Sequence, residues 1–223
     1  SFFALYANID GFTGREAAIP VSERPEIDRW ILSELNWPIR DVTASLEDYD
    51  PTPAARRIQE LVGENLSNWN VRMNRKRFWG GGMTKDKLAA YQTLYTCLET
   101  VVMLAAPIAP FITDRIFCDL NAISGRHTES SVHLAEYPTS NAALIDSQLE
   151  TMMSLAQRAS SMVLALRRKV NIKVRQPLQK IIIPVLDKAM AAHIEKVRAL
   201  IMGEVNVKDI ELLTDTTGII TKR

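Results

Sequence analysis

Residues 68–82 read NWNVRMNRKRFWGGG, and within them Asn68, Arg72, Arg75 and Trp79 follow one another at steps of four, three and four. On a helix such steps put all four side chains on one face. An amide reads hydrogen-bonding edges, guanidinium groups pair with phosphates or base edges, and an indole offers a stacking plane. These residue types are suited to binding RNA. The same face has a plainer reading, a solvated helix end whose cations favour the negative C-terminal end of the helix dipole. Lys76 and Arg77 flank the face. They could instead pair with acids on neighbouring helices.

On the opposite side of that helix, Ile58, Val62, Leu66, Trp69 and Met73 keep helical spacing and are expected to face a core. A second basic run, RRKVNIKVRQP (residues 167–177), leaves a helix and enters a loop, and supplies Lys169, Lys173 and Arg175 as further phosphate-contacting candidates. The net charge of the chain is only +1, yet residues 56–87 carry eight Lys/Arg against three Asp/Glu and residues 158–180 carry seven against none. The remainder is therefore strongly acidic, and the positive charge is concentrated where a polyanion would bind.

Signs of catalysis are missing from the sequence. It contains no GxGxxG, Walker, GxSxG, HExxH or paired CxxC pattern, and GGGM follows a helix rather than joining a strand to a helix as a phosphate loop requires. No catalytic residue is assigned. The histidines, His127, His133 and His193, lie outside metal-ligand spacing, and Cys97 and Cys118 sit in apolar helical patterns as expected of reduced core thiols. Neither a metal nor a cofactor is expected. The longest uncharged stretch, Thr100–Thr113, has fourteen residues and two prolines, too short to span a bilayer. The first residues lack a basic leader and an initiator Met, so a piece of a longer cytoplasmic protein is expected.

The elements that would position these residues are mostly helical. Ile27, Trp30, Ile31, Leu35, Ile39, Val42 and Leu46 predict a first amphipathic helix from Pro25, capped by Ser22 and kinked or broken at Pro38. A second helix should start with Thr52 as cap and Pro53 at its first position, run to Trp79 and stop at GGG. Thr84 should start a third, Pro107 and Pro110 should close it or bend the chain into a fourth, and a fifth should span about Leu144–Val170. IIIPV, a helix ending at Gly203, VNVKDIELL and GIITKR, the start of a third strand, read as a small α/β tail. The expected fold is mainly α, a helical bundle with a small C-terminal α/β appendage. Its expected parts are a linker over residues 1–24, the bundle over 25–143, a long helix and basic loop joining to the tail over 144–176, and a truncated α/β subdomain over 177–223.

NWNVRMNRKRFWGGG, together with RPEIDRWILSELN (residues 24–36), LETVVMLAAPIAPFITDRIF (residues 98–117) and VNIKVRQPL (residues 170–178), resembles the C-terminal part of isoleucyl-tRNA synthetases over about residues 1–213. The resemblance implies a bundle of the class Ia anticodon-binding type. It also implies a monomeric, membrane-free role in holding the anticodon stem-loop of isoleucine tRNA, with Asn68, Arg72, Arg75, Lys76, Trp79, Lys169, Lys173 and Arg175 as the RNA-binding candidates. The parent family activates isoleucine with ATP in a catalytic domain that would lie upstream. HIGH and KMSKS motifs are absent here, so the fragment alone is expected to be inactive. The rival function is a protein-interaction module whose basic face docks an acidic partner or that catalytic domain. The sequence departs from the family at Asn70, where an aromatic is usual, at Met73, usually Leu, and at Trp37 and Pro38.

Overall fold

A computed structural model describes residues 2–214. The described chain forms two compact units, residues 1–146 and 147–223 by their boundaries. The first is a helical bundle. Helix α1 (Phe2–Asp10) leads through an irregular stretch to α2 (Glu26–Glu47) and α3 (Pro51–Glu60). A π-helical segment, Leu61–Val71, continues α3 without interruption into α4 (Arg72–Trp79), and α5 (Lys85–Ala105) and α6 (Pro110–Ser124) complete the bundle.

The apolar stripe of α2 is inward as its spacing predicts: Trp30, Ile31, Leu35, Ile39 and Val42 are all buried. Helix α2 runs unbroken through Pro38. Two residues before Pro38, Asn36 ties the helix to itself and to the loop at residues 140–141. The Asn36 side chain donates to the Leu32 carbonyl at 2.7 Å and accepts from the Asn141 N–H at 2.7 Å, and the Ser140 hydroxyl donates to the Asn36 carbonyl at 3.1 Å. Helix α5 is long and apolar enough to cross a membrane by composition, but it is the mostly buried central helix of the bundle.

Several helix boundaries differ from the expected ones. Pro25, with no side-chain cap, precedes α2 in place of Ser22, and Asp50 rather than Thr52 caps α3 by accepting from the Thr52 N–H at 3.2 Å. At the expected start of the third helix, Thr84 caps α5, its side chain accepting from the Lys87 N–H at 3.1 Å. The expected linker, residues 1–24, is instead packed into the bundle over its described part: Phe12 is buried and stacks on Tyr91 with ring centroids 5.0 Å apart. Seven aromatic rings in that region, including Phe2, Phe3 and Phe78, meet mostly edge to face.

The second unit begins with α7 (Ser147–Lys169) and continues through β1 (Ile181–Pro184), α8 (Lys188–Lys196), α9 (Arg198–Val205) and β2 (Ile210–Leu213). The strands are parallel, with Ile181 opposite Ile210 and Ile183 opposite Leu212, so α8 and α9 form the required crossover. Ile183, Ile194, Ile201, Val205 and Ile210 form its core beneath α7. Helix α7, expected to join two domains, is thus part of the second one. Gly203 lies inside α9, and the left-handed Asn206 (φ 52°) ends that helix. The expected third strand, GIITKR, lies outside the described residues.

Candidate nucleic-acid interface

Asn68, Arg72, Arg75, Lys76 and Trp79 are all exposed, with Trp79 at 59%. Asn68 belongs to the π-helical segment and the other four to α4, where Arg72, Arg75 and Trp79 share a face and Lys76 flanks it. The inward side departs from a regular helical wheel. Leu61, Leu66, Trp69, Asn70, Asn74 and Phe78 are buried, whereas Val62 is exposed and Met73 only half-buried. The cause is the i to i+5 winding of residues 61–71, which makes each turn longer and advances the inward stripe from Leu61 to Leu66 in five steps.

Asn70 points into the protein. Its amide donates to the Ile27 carbonyl at 3.3 Å and ties the π-helical segment to the start of α2. It is a packing residue here and lies off the exposed row.

The end of α4 is held from three sides. Phe78 is buried edge-on against Tyr91 (4.8 Å) and Phe2 (5.3 Å). The Arg77 guanidinium makes a two-pronged pair with the fully buried Asp28, at 2.7 and 2.9 Å, and also binds the Asp86 carboxylate at 2.9 Å and the Asn74 side chain at 3.0 Å. Burial raises the Asp28 carboxyl above its ordinary value while Arg77 pulls it back, and the two acids hold the Arg77 guanidinium protonated against its own desolvation. Lys87 is buried, donating to the Gly80 carbonyl at 2.7 Å and pairing with Asp10 at 2.6 Å; Asp10 also accepts from the Tyr91 hydroxyl. Burial opposes ionisation of Asp10, but the bonds from Lys87 and Tyr91 keep its carboxyl below the usual range. Past Gly80, Gly82 takes a left-handed conformation (φ 76°) that turns the chain toward α5.

These contacts sort the cations of the two basic segments. Arg57 pairs with Asp41 and Glu60, Lys85 with Glu23 and Lys180 with Glu211, while Arg77, Lys87 and Arg167 are drawn inward. Arg56, Arg72, Arg75 and Lys76 in the first unit and Arg158, Arg168, Lys169, Lys173 and Arg175 in the second are exposed. Sequence reasoning missed the structural use of Lys87. Its spacing of four from Tyr91 was the available signal, since it places both on the inward side of α5. Cys97 is buried and its thiol pushed up to about 12, as suits a protonated core residue.

A sequence model described as the anticodon-binding domain of tRNA ligase matches residues 28–182. The chain belongs to this anticodon-binding domain family. The match takes in the whole exposed row and the loop bearing Lys173 and Arg175. Curated relatives include the isoleucine–tRNA ligases of Bacteroides fragilis and Bacteroides thetaiotaomicron, each 60% identical over all 223 residues, and that of Deinococcus radiodurans, 40% identical over 220 residues. The chain spans about one fifth of the length of these relatives, 19–20%. The run NWNVRMNRKRFW, which lies within the matched residues, has a buried face that builds the bundle and an exposed cationic face.

Proposed function

We propose that this chain is the tRNA-binding part of an isoleucine–tRNA ligase and holds the anticodon stem-loop of isoleucine tRNA for aminoacylation by the whole enzyme. The observation that carries this reading is the exposed row Asn68, Arg72, Arg75, Lys76 and Trp79, on a helix whose other face is locked into the core of an anticodon-binding domain. The guanidinium and ammonium groups contact phosphates and set the register, and Trp79 gives an unstacked base a plane to lie on. Lys169, Lys173 and Arg175 add phosphate contacts from the second unit. The upstream catalytic domain, its ATP and a cytoplasmic, monomeric enzyme complete the proposal; no catalytic step is assigned to this chain.

Titration of the labelled isoleucine tRNA anticodon stem-loop against the 223-residue chain, over about 50 to 200 mM salt, tests the reading. Affinity is expected to fall linearly on a log–log plot, because each released counterion gains less free energy as the bulk salt rises. Absence of binding at the lowest salt overturns the RNA role for this chain and favours a docking face for an acidic protein surface. Isoleucine-dependent pyrophosphate exchange by the chain alone is expected to be nil.

A further inference from the structure

The second unit contains a buried cation with which no carboxylate among the described residues pairs. Arg167, in the last turn of α7, is 2% exposed. Its Nη1 donates to the carbonyls of Lys173 (3.2 Å) and Gln176 (3.0 Å), its Nη2 donates to the carbonyl of Asn206 (3.0 Å), and its Nε is buried without a partner. Among the described residues no carboxylate pairs with it, and Asp209 and Glu211 pair instead with Arg198 and Lys180. Desolvating a guanidinium without an opposite charge is unfavourable, and here only carbonyl dipoles offset it.

The result of those bonds is the shape of one loop. Asn206 donates its side-chain amide to the Val174 carbonyl at 2.8 Å, and the Gln176 N–H closes a turn onto the Lys173 carbonyl at 3.0 Å. The carbonyls of residues 173, 174 and 176 are therefore all engaged by Arg167 or Asn206. Left outward, such oxygens would repel a phosphate. With them withdrawn, the exposed side of the loop offers Lys173 and Arg175, next to Arg168 and Lys169, in a stretch of 23 residues (158–180) without an Asp or Glu.

We infer that Arg167 is a positioning residue: it holds loop 170–177 in the shape that presents Lys173 and Arg175 to the phosphodiester backbone of tRNA, without touching the RNA itself. This rests on the proposed RNA role. An arginine whose hydrogen-bonding reach is directed at backbone carbonyls transmits its effect only through that loop. Its contribution must therefore vanish when the loop's cations are removed, and a double-mutant cycle measures this directly.

The test measures stem-loop affinity at low salt for wild type, K173A/R175A, R167K and the triple variant. Removal of two phosphate contacts in K173A/R175A is expected to weaken binding about tenfold and to lower the salt slope by about 1 to 2. R167K keeps the charge but loses the fork, and is expected to weaken binding about fivefold in the wild-type background and negligibly in the K173A/R175A background. A purely structural fault would lower affinity equally in both backgrounds. Unchanged binding by K173A/R175A overturns the RNA role of the loop and the inference with it. Weakened binding by K173A/R175A alongside wild-type binding by R167K, or an R167K loss that persists in the triple variant, overturns the positioning role alone. If R167K does not fold, Asn206→Gly keeps the left-handed cap while freeing the Val174 carbonyl, and must give the same non-additive pattern.

Discussion

Phe78 and Trp79 are adjacent aromatic residues with opposite surroundings, 3% and 59% exposed. Trp79→Ala is therefore expected to leave the melting temperature almost unchanged while weakening stem-loop binding by about 1 to 3 kcal/mol if one base stacks on the indole. Paired thermal melts and binding isotherms check this, and a loss of stability matching the loss of binding would count against it. Arg77, two residues earlier, behaves differently because its guanidinium is committed to buried Asp28. Arg77→Met leaves that carboxylate buried and unpaired, and a destabilisation of about 3 to 5 kcal/mol at neutral pH is expected. Burial already raises the Asp28 carboxyl, and without Arg77 nothing of comparable reach opposes it. A carboxyl with a raised folded pKa binds more protons in the folded state, so its favourable contribution is present below the unfolded value and lost as pH rises through the folded one. The penalty of Arg77→Met should accordingly shrink as pH is lowered. Urea titrations of both proteins at neutral and mildly acidic pH would reveal a penalty that stays constant, the outcome contrary to this account.

Among the elements, the π-helical segment Leu61–Val71 has the largest consequence. A regular winding from Ile58 would turn Val62 and Met73 inward, and the wider winding turns in Leu61, Asn70 and Asn74 in their place. The exposed row survives because two of its three steps, from Arg72 through Arg75 to Trp79, fall in the regular α4. Gly63 lies within the π-helical segment, and a Cβ added there meets nothing within 4 Å. Its backbone freedom is lost on folding without any steric need for glycine, so Gly63→Ala is expected to stabilise the protein by about 0.5 to 1 kcal/mol. Chemical denaturation would detect it, and a lower midpoint would mean that the segment needs glycine for a reason other than space. Helix α2 teaches a related lesson. A proline expected to kink or break the helix lies inside it without a break, two residues after an asparagine tied to Leu32, Ser140 and Asn141.

At the scale of the molecule, two units with separate cores should respond separately to core damage. Ile201 is fully buried in the second unit, and Ile201→Ala is expected to lower the stability of residues 147–214 by about 2 to 5 kcal/mol while leaving the melting of residues 2–146 in place. Calorimetry resolving two transitions tests this, and a single transition that moves as a whole would show one cooperative body. The helices, the inward stripe of α2, the helix start at Thr84, the small α/β tail, the family resemblance and the two basic segments were all legible in the sequence, because periodicity, capping and composition are local properties. The use made of each cation was decided only by tertiary structure. Arg77 stands beside Arg75 and Lys76 in the chain, yet it meets an acid 49 residues away, and Arg167 stands beside Arg168, yet it binds the carbonyl of a residue 39 positions on. A long charged side chain is buried or exposed according to the partners that the fold brings to it, and no spacing within a single helix records where those partners will be.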